Sequence, residues 1–196
     1  TGALTFNDGV AAGSIALDGA ADVDLATGSV TLDTSAGNGV VTFATAGNVD
    51  GAQDLTITAG SGAVNLSAIG AGTAVGAFDL DSTGTTTVNG NISAGSIAMD
   101  GATDVDLATG AITLSTSAAN GAITLTGGAV DGAQDLTITA GSGAVSLDGM
   151  GQSTPVGALD VDTTGALTFN DGVAASSIAL DGAADVDLAT GSVTLD

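Results

Sequence analysis

The sequence predicts an all-β chain wound as a right-handed parallel β-helix, a β-solenoid. Three observations lead there: long internal repeats, short blocks in which apolar and polar residues alternate, and glycine-containing steps between the blocks. The right-handed sense follows from the rule for parallel crossovers.

The repeats come first. Residues 1–33 return at 164–196 with one change, Gly13 giving way to Ser176. The segment GSIALDGAADVDLATGSVTL from Gly13 returns as GSIAMDGATDVDLATGAITL from Gly95, an offset of 82. VDGAQDLTITAGSGAV at Val49 returns unchanged at Val130, an offset of 81. The chain therefore reads as one continuous solenoid over 1–196, built from tandem modules of roughly 81–82 residues. Modules 13–94 and 95–175 are flanked by partial copies at 1–12 and 176–196.

Within a module the blocks are ALTF (3–6), SIAL (14–17), DVDL (22–25), SVTL (29–32), VVTF (40–43), DLTI (54–57), AVNL (63–66), AFDL (77–80) and TTTV (85–88). Their second and fourth residues are mostly large and aliphatic, and their first and third are small or polar. A period of two is a strand with one buried face. DG, NG, AG and TG steps supply the positive φ angles of tight turns between them.

Taken in pairs, the blocks total about 18–23 residues. That predicts coils of about 20 residues, four per module and nine or ten in all, rising about 4.8 Å each. A three-sided coil of about 27 residues, three per module, is the competing register. Hairpins are disfavoured because the strands are short and the inward positions recur from module to module, as stacking of like on like requires. The near-identity of 1–33 and 164–196 further suggests that two modules form one structural period of a fibre, with the sequence a window from something longer.

Composition excludes most chemistry. All 22 acidic residues are Asp, and Lys, Arg, His, Cys, Trp, Tyr and Glu are absent. Without His, Cys or Lys there is no ordinary general base, thiol nucleophile or Schiff-base amine. A net charge of -22 with no cation excludes nucleic acid as a partner and disfavours anionic membranes. No apolar run reaches the roughly 18 residues of a membrane span. Yet the mean hydropathy is positive, so a thin core of small aliphatics is within reach.

DLTITAGSGAV, DSTGTTTVNG and TGALTFNDGV resemble the β-strand repeats of filamentous-haemagglutinin-like adhesins and related giant bacterial surface proteins. The resemblance covers the whole chain. It implies an extracellular, cell-surface location and a structural role as a shaft or fibre body. Partners would be further copies, end to end or in a continuous fibre, and a host or cell-surface receptor met through regions outside this segment. Such shafts carry no catalytic residues. The departure here is the complete lack of Lys and Arg, which suits a spacer better than a binding tip.

The conspicuous side chains are paired aspartates: Asp22/Asp24, Asp79/Asp81, Asp104/Asp106, Asp160/Asp162 and Asp185/Asp187. Partners two apart share one strand face, about 6.5–7 Å between Cα atoms, opposite Val and Leu. Two carboxylates can cleave glycosides, but those sites are unique and walled, whereas these pairs repeat. The leading reading is a solvated acidic face that keeps the rod soluble.

Ca²⁺ is the sharper alternative, since it takes six to eight oxygen ligands. The candidates are Asp18, Asp22 and Asp24, with equivalents Asp100, Asp104, Asp106 and Asp181, Asp185, Asp187. Their spacing matches neither the nonapeptide calcium roll nor the helix-loop motif. On this alternative the chain is a surface-layer or matrix protein whose acidic face binds Ca²⁺ and supports assembly. The sequence requires no cofactor.

Thr56/Thr58 and Thr137/Thr139 invite an ice-binding reading but lie one module apart. The Gly-rich TAGSGAV segments lack the Lys and helix of a phosphate loop. Asn65-Leu66-Ser67 and Asn91-Ile92-Ser93 match the glycosylation pattern, a chance match if the chain is bacterial as the resemblance implies.

Overall fold

Alternation along each block leaves one row of Val, Leu and Ile to be buried, and a single short strand cannot bury it alone. The computed structural model describes residues 2–43, 47–189 and 194–195. Every regular element among them is a β-strand, and the pairs between named strands are all parallel. Inward positions of successive strands stack in three ladders that run the length of the described chain.

The first ladder joins Leu4, Val23, Val49, Ile69, Ile92, Leu114, Ile138, Val161 and Leu180. The second joins Val10, Leu32, Ile57 and Leu80. It passes through Phe78 of the same strand to Ile97, Ile123, Val145, Leu167 and Val186. The third joins Ile15, Val41, Val64, Thr86, Val105, Val130, Met150, Val173 and Leu195. The chain visits the ladders in strict rotation, so the coil is three-sided. Leu4 to Leu180 takes eight steps along the first ladder, one step for each coil of roughly 22 residues.

The coil length lies close to the expected value of about 20 residues, but the outline is that of the competing three-sided register. Each ladder has nine inward levels, so eight full turns separate the first coil from the last, against the nine or ten coils expected. The difference has a local cause. Val49, Ile69 and Ile92 are buried inward contacts without the second large residue of an alternating block. Counted with the eight blocks of a module, they make eleven sides. One module is therefore three and two-thirds coils, not four.

The same arithmetic corrects the two-module period. Leu4 lies on the first ladder and its copy Leu167 on the second. Two modules leave equivalent residues one side out of phase, and three are needed to bring them back.

The core is thin and mostly aliphatic. Strand Leu55–Gly60 alternates buried and half-buried residues, as does its copy Leu136–Gly141. Phe43, Phe78 and Phe169 are fully buried among the aliphatics. Each Leu or Ile so enclosed contributes roughly 1.5–3 kcal/mol. Corners demand close approach: a Cβ on Gly39 would lie 1.6 Å from the Gly13 carbonyl oxygen one coil below. Beside that corner, the buried Thr34 hydroxyl donates to the Gly39 carbonyl at 2.6 Å, and Thr116 does the same to Gly121.

Candidate functional site

In strand Asp22–Leu25 the pattern is half-buried, buried, half-buried, buried, so Asp22 and Asp24 face outward and Val23 and Leu25 inward. Strand Asp104–Leu107 repeats this. The outward assignment of both pairs agrees with the alternation of the sequence. In strand Asp185–Leu188 all four residues are exposed.

The candidate calcium trios are not gathered. Asp18 lies in the turn that follows Ile15–Ala16 on the third ladder, where its carboxylate accepts the Thr42 hydroxyl at 3.3 Å. Asp22 and Asp24 lie on the first ladder, in register with Asn48 and Asp50 of the next coil. In the second trio, Asp100 acts on Asp79, whereas Asp104 has Asp106 on its own strand and Asp131 close by in the next coil. In the third, Asp181 is in register with Asp162, and Asp185 and Asp187 belong to another ladder. Among the described residues no group of three or more acidic side chains is placed to hold a metal ion.

Electrostatics follow from crowding without cations. Burial pushes the Asp79 carboxyl above the ordinary aspartate range, and the charges of Asp100 and Asp81 add to the effect. Burial likewise raises Asp104, with Asp106 and Asp131 contributing. Asp33 goes the other way, held low by the hydroxyl and amide of Ser35, at 2.6 and 2.8 Å from its Oδ1.

A second set of acidic groups, which spacing alone does not single out, does structural work. Asp50 Oδ1 accepts the amides of Gly72 and Thr73, both at 2.8 Å, from the coil above. Asp131 accepts those of Ser153 and Thr154 at 2.8 and 2.9 Å, and is itself buried. Asp54 and Asp135 accept Ala77 and Ala158 amides at 2.8 and 2.7 Å. Asn38 and Asn120, both at positive φ, receive Ser61 and Ser142 amides. Each clamp ties a corner to the next coil, where the backbone leaves donors that no strand pairs. The unchanged VDGAQD segments at 49–54 and 130–135 carry the signal: Asp50 and Asp54 recur there with their glycine.

Surface depressions lie over the corners. One is lined by Gly127, Gly149, Gln152, Asp148 and Asp171, and it brings two carboxylates and a side-chain amide together. What the outer surface can do chemically is present carboxylates, hydroxyls and amides in rows. The chain matches no family model, and no curated protein or solved structure is significantly similar to it.

Proposed function

We propose that this chain is a structural repeat region, a rigid acidic rod in a secreted bacterial surface fibre or adhesin shaft. One observation carries the reading: three parallel ladders, bridged by single residues where strands lapse, run from the first coil to the last, and the polar groups that are best held are spent on tying coil to coil. A binding or catalytic protein concentrates its unusual side chains at one place. Here the same corner clamp is built twice, at Asp50 and Asp131, one module apart. The outward aspartates keep so apolar a rod from aggregating.

Two measurements test this. Proteins with one, two and three added modules should lengthen by about 18 Å per module in small-angle scattering, from three and two-thirds coils of about 4.8 Å. A constant maximum dimension removes the rod. Antibody raised against the chain should decorate intact source cells; staining only after permeabilisation removes the surface assignment.

A further inference from the structure

Three corners carry the step Asn–Gly: Asn38-Gly39, Asn89-Gly90 and Asn120-Gly121. The step has a chemistry of its own. The glycine backbone nitrogen, with no Cβ beside it, can attack the asparagine Cγ. A C–N bond forms, the carboxamide nitrogen leaves as ammonia, and water opens the resulting succinimide to aspartate or isoaspartate. Asparagine is thermolabile for this reason. Each event replaces a neutral side chain by a carboxylate, and isoaspartate also adds a methylene to the backbone.

Two of the corners hold the reacting groups in place. Asn38 and Asn120 sit at φ of 51° and 58°. Their Oδ1 atoms accept the Ser61 and Ser142 amides of the next coil at 2.9 and 3.0 Å. The Thr34 and Thr116 hydroxyls donate to the carbonyls of the following glycines at 2.6 Å. At the first corner the attacking nitrogen is itself engaged, the Gly39 amide donating to the Thr34 carbonyl at 3.2 Å. Closing the ring swings the glycine nitrogen onto Cγ, and these contacts must break before it does.

Asn89 is held less. Its backbone does not take the positive φ. Its carboxamide makes one hydrogen bond among the described residues, from Nδ2 to the Leu66 carbonyl at 3.1 Å, and that carbonyl already accepts the Asn89 amide at 2.9 Å. The Gly90 amide, which is the attacking nitrogen, has no hydrogen-bond partner among them. One module on, Asn170 donates its amide to Leu147 in the same way, but Asp171 follows it in place of glycine.

We propose that Asn89-Gly90 is a self-modification site, converted by water to aspartate or isoaspartate in the folded chain while Asn38 and Asn120 are protected. The product acts where the amide did. A carboxylate at 89 sets an acceptor against the Leu66 carbonyl and removes the Nδ2 donor that ties this corner to the coil below. A carboxylate at 38 still accepts the Ser61 amide. Modification therefore loosens one corner at a fixed place in the solenoid.

Incubation of the full chain in mildly alkaline buffer, followed by peptic digestion and mass spectrometry, tests this. Amide loss is read at each asparagine by mass, and isoaspartate by electron-transfer fragmentation. In the folded chain Asn89 should convert about tenfold faster than Asn38 and Asn120, the protection that a corner opening of about 1.4 kcal/mol gives. In concentrated urea the three should convert at one rate, because the dipeptide is the same, and Asn170 should lag in both conditions. Equal rates at the three corners of the folded chain, or a slower Asn89, would overturn the proposal. The same preference for Asn89 in urea would trace it to neighbouring sequence and overturn it too. Asn89→Asp should lower the urea midpoint and Asn38→Asp should not; equal midpoints for the two would remove the loosening assigned to the product.

Discussion

Val23 and Val105 hold the same place in successive modules, yet they lie on different sides of the solenoid. Val23 stacks between Leu4 and Val49 on the first ladder, and Val105 between Thr86 and Val130 on the third. A third equivalent, Val186, lies on the second. The three sides therefore carry interchangeable sequence. Any outward feature of a module, such as the Asp pair of DVDL, is distributed around the axis instead of forming one stripe.

The clamps should be energetically separable from the solvated pairs. Asp131→Ala removes the acceptor for two amides at a buried corner and should cost about 2–4 kcal/mol, since each stranded donor carries its desolvation penalty. Asp131→Asn keeps an acceptor oxygen and should cost about half as much. Urea midpoints measure both, and loss of under a few tenths for the Ala variant would refute the clamp.

Inward and outward positions should differ sharply. Leu66→Asp places an unpaired charge at a fully enclosed site and should break the stack locally, by several kcal/mol. Asp24→Asn, on the outer face, should be nearly silent. Equal destabilisation by the two would contradict the assignment of faces.

Thr86 is an inward residue whose hydroxyl is buried without a hydrogen-bond partner. It stacks on Val64 and Val105, and the equivalent position one module later is Leu167. Thr86→Val removes the unpaired group at constant shape and should stabilise the chain by about 1 kcal/mol, read as a higher melting temperature. No gain would mean that the hydroxyl finds a partner in solution.

Stability should rise on mild acidification. Folded Asp79 and Asp104 titrate above the ordinary aspartate value of 3.8, so the native chain binds more protons than the unfolded one in that window. Stability then falls as pH rises through their raised values and stays lowest above them. Asp33 has the opposite sign: its contribution is present above 3.8 and is lost as pH falls through its lowered value. Urea midpoints should therefore increase from pH 7 toward the titration of Asp79 and Asp104. Asp79→Asn with Asp104→Asn should flatten that increase. A slope unchanged by these substitutions would shift the effect to the other carboxylates.

Divalent cations should act as screening counter-ions. Because the candidate trios around Asp22, Asp104 and Asp185 are not gathered, Ca²⁺ and Mg²⁺ at equal millimolar concentration should raise the melting temperature equally. A shift specific to Ca²⁺ and abolished by Asp22→Asn would establish a dedicated site instead.

Much of this architecture can be read without coordinates. Period-two alternation in DVDL or DLTI dictates strands with one buried face, and exact recurrence of short blocks dictates parallel stacking, because both are local properties of side-chain direction and repetition. The outward direction of Asp22 and Asp24 follows from the same rule. Single inward contacts leave no such trace: Val49, Ile69 and Ile92 each present one aliphatic residue between corners, which no alternation marks. Only the tertiary structure shows that they are full sides of the coil, because their role depends on neighbours a whole coil away along the chain. That is why the true coil length, the eleven-sided module and the clamps at Asp50 and Asp131 emerge from the fold. Strand identity is set within a single short block, whereas the phase of the winding is set by which coil lies above.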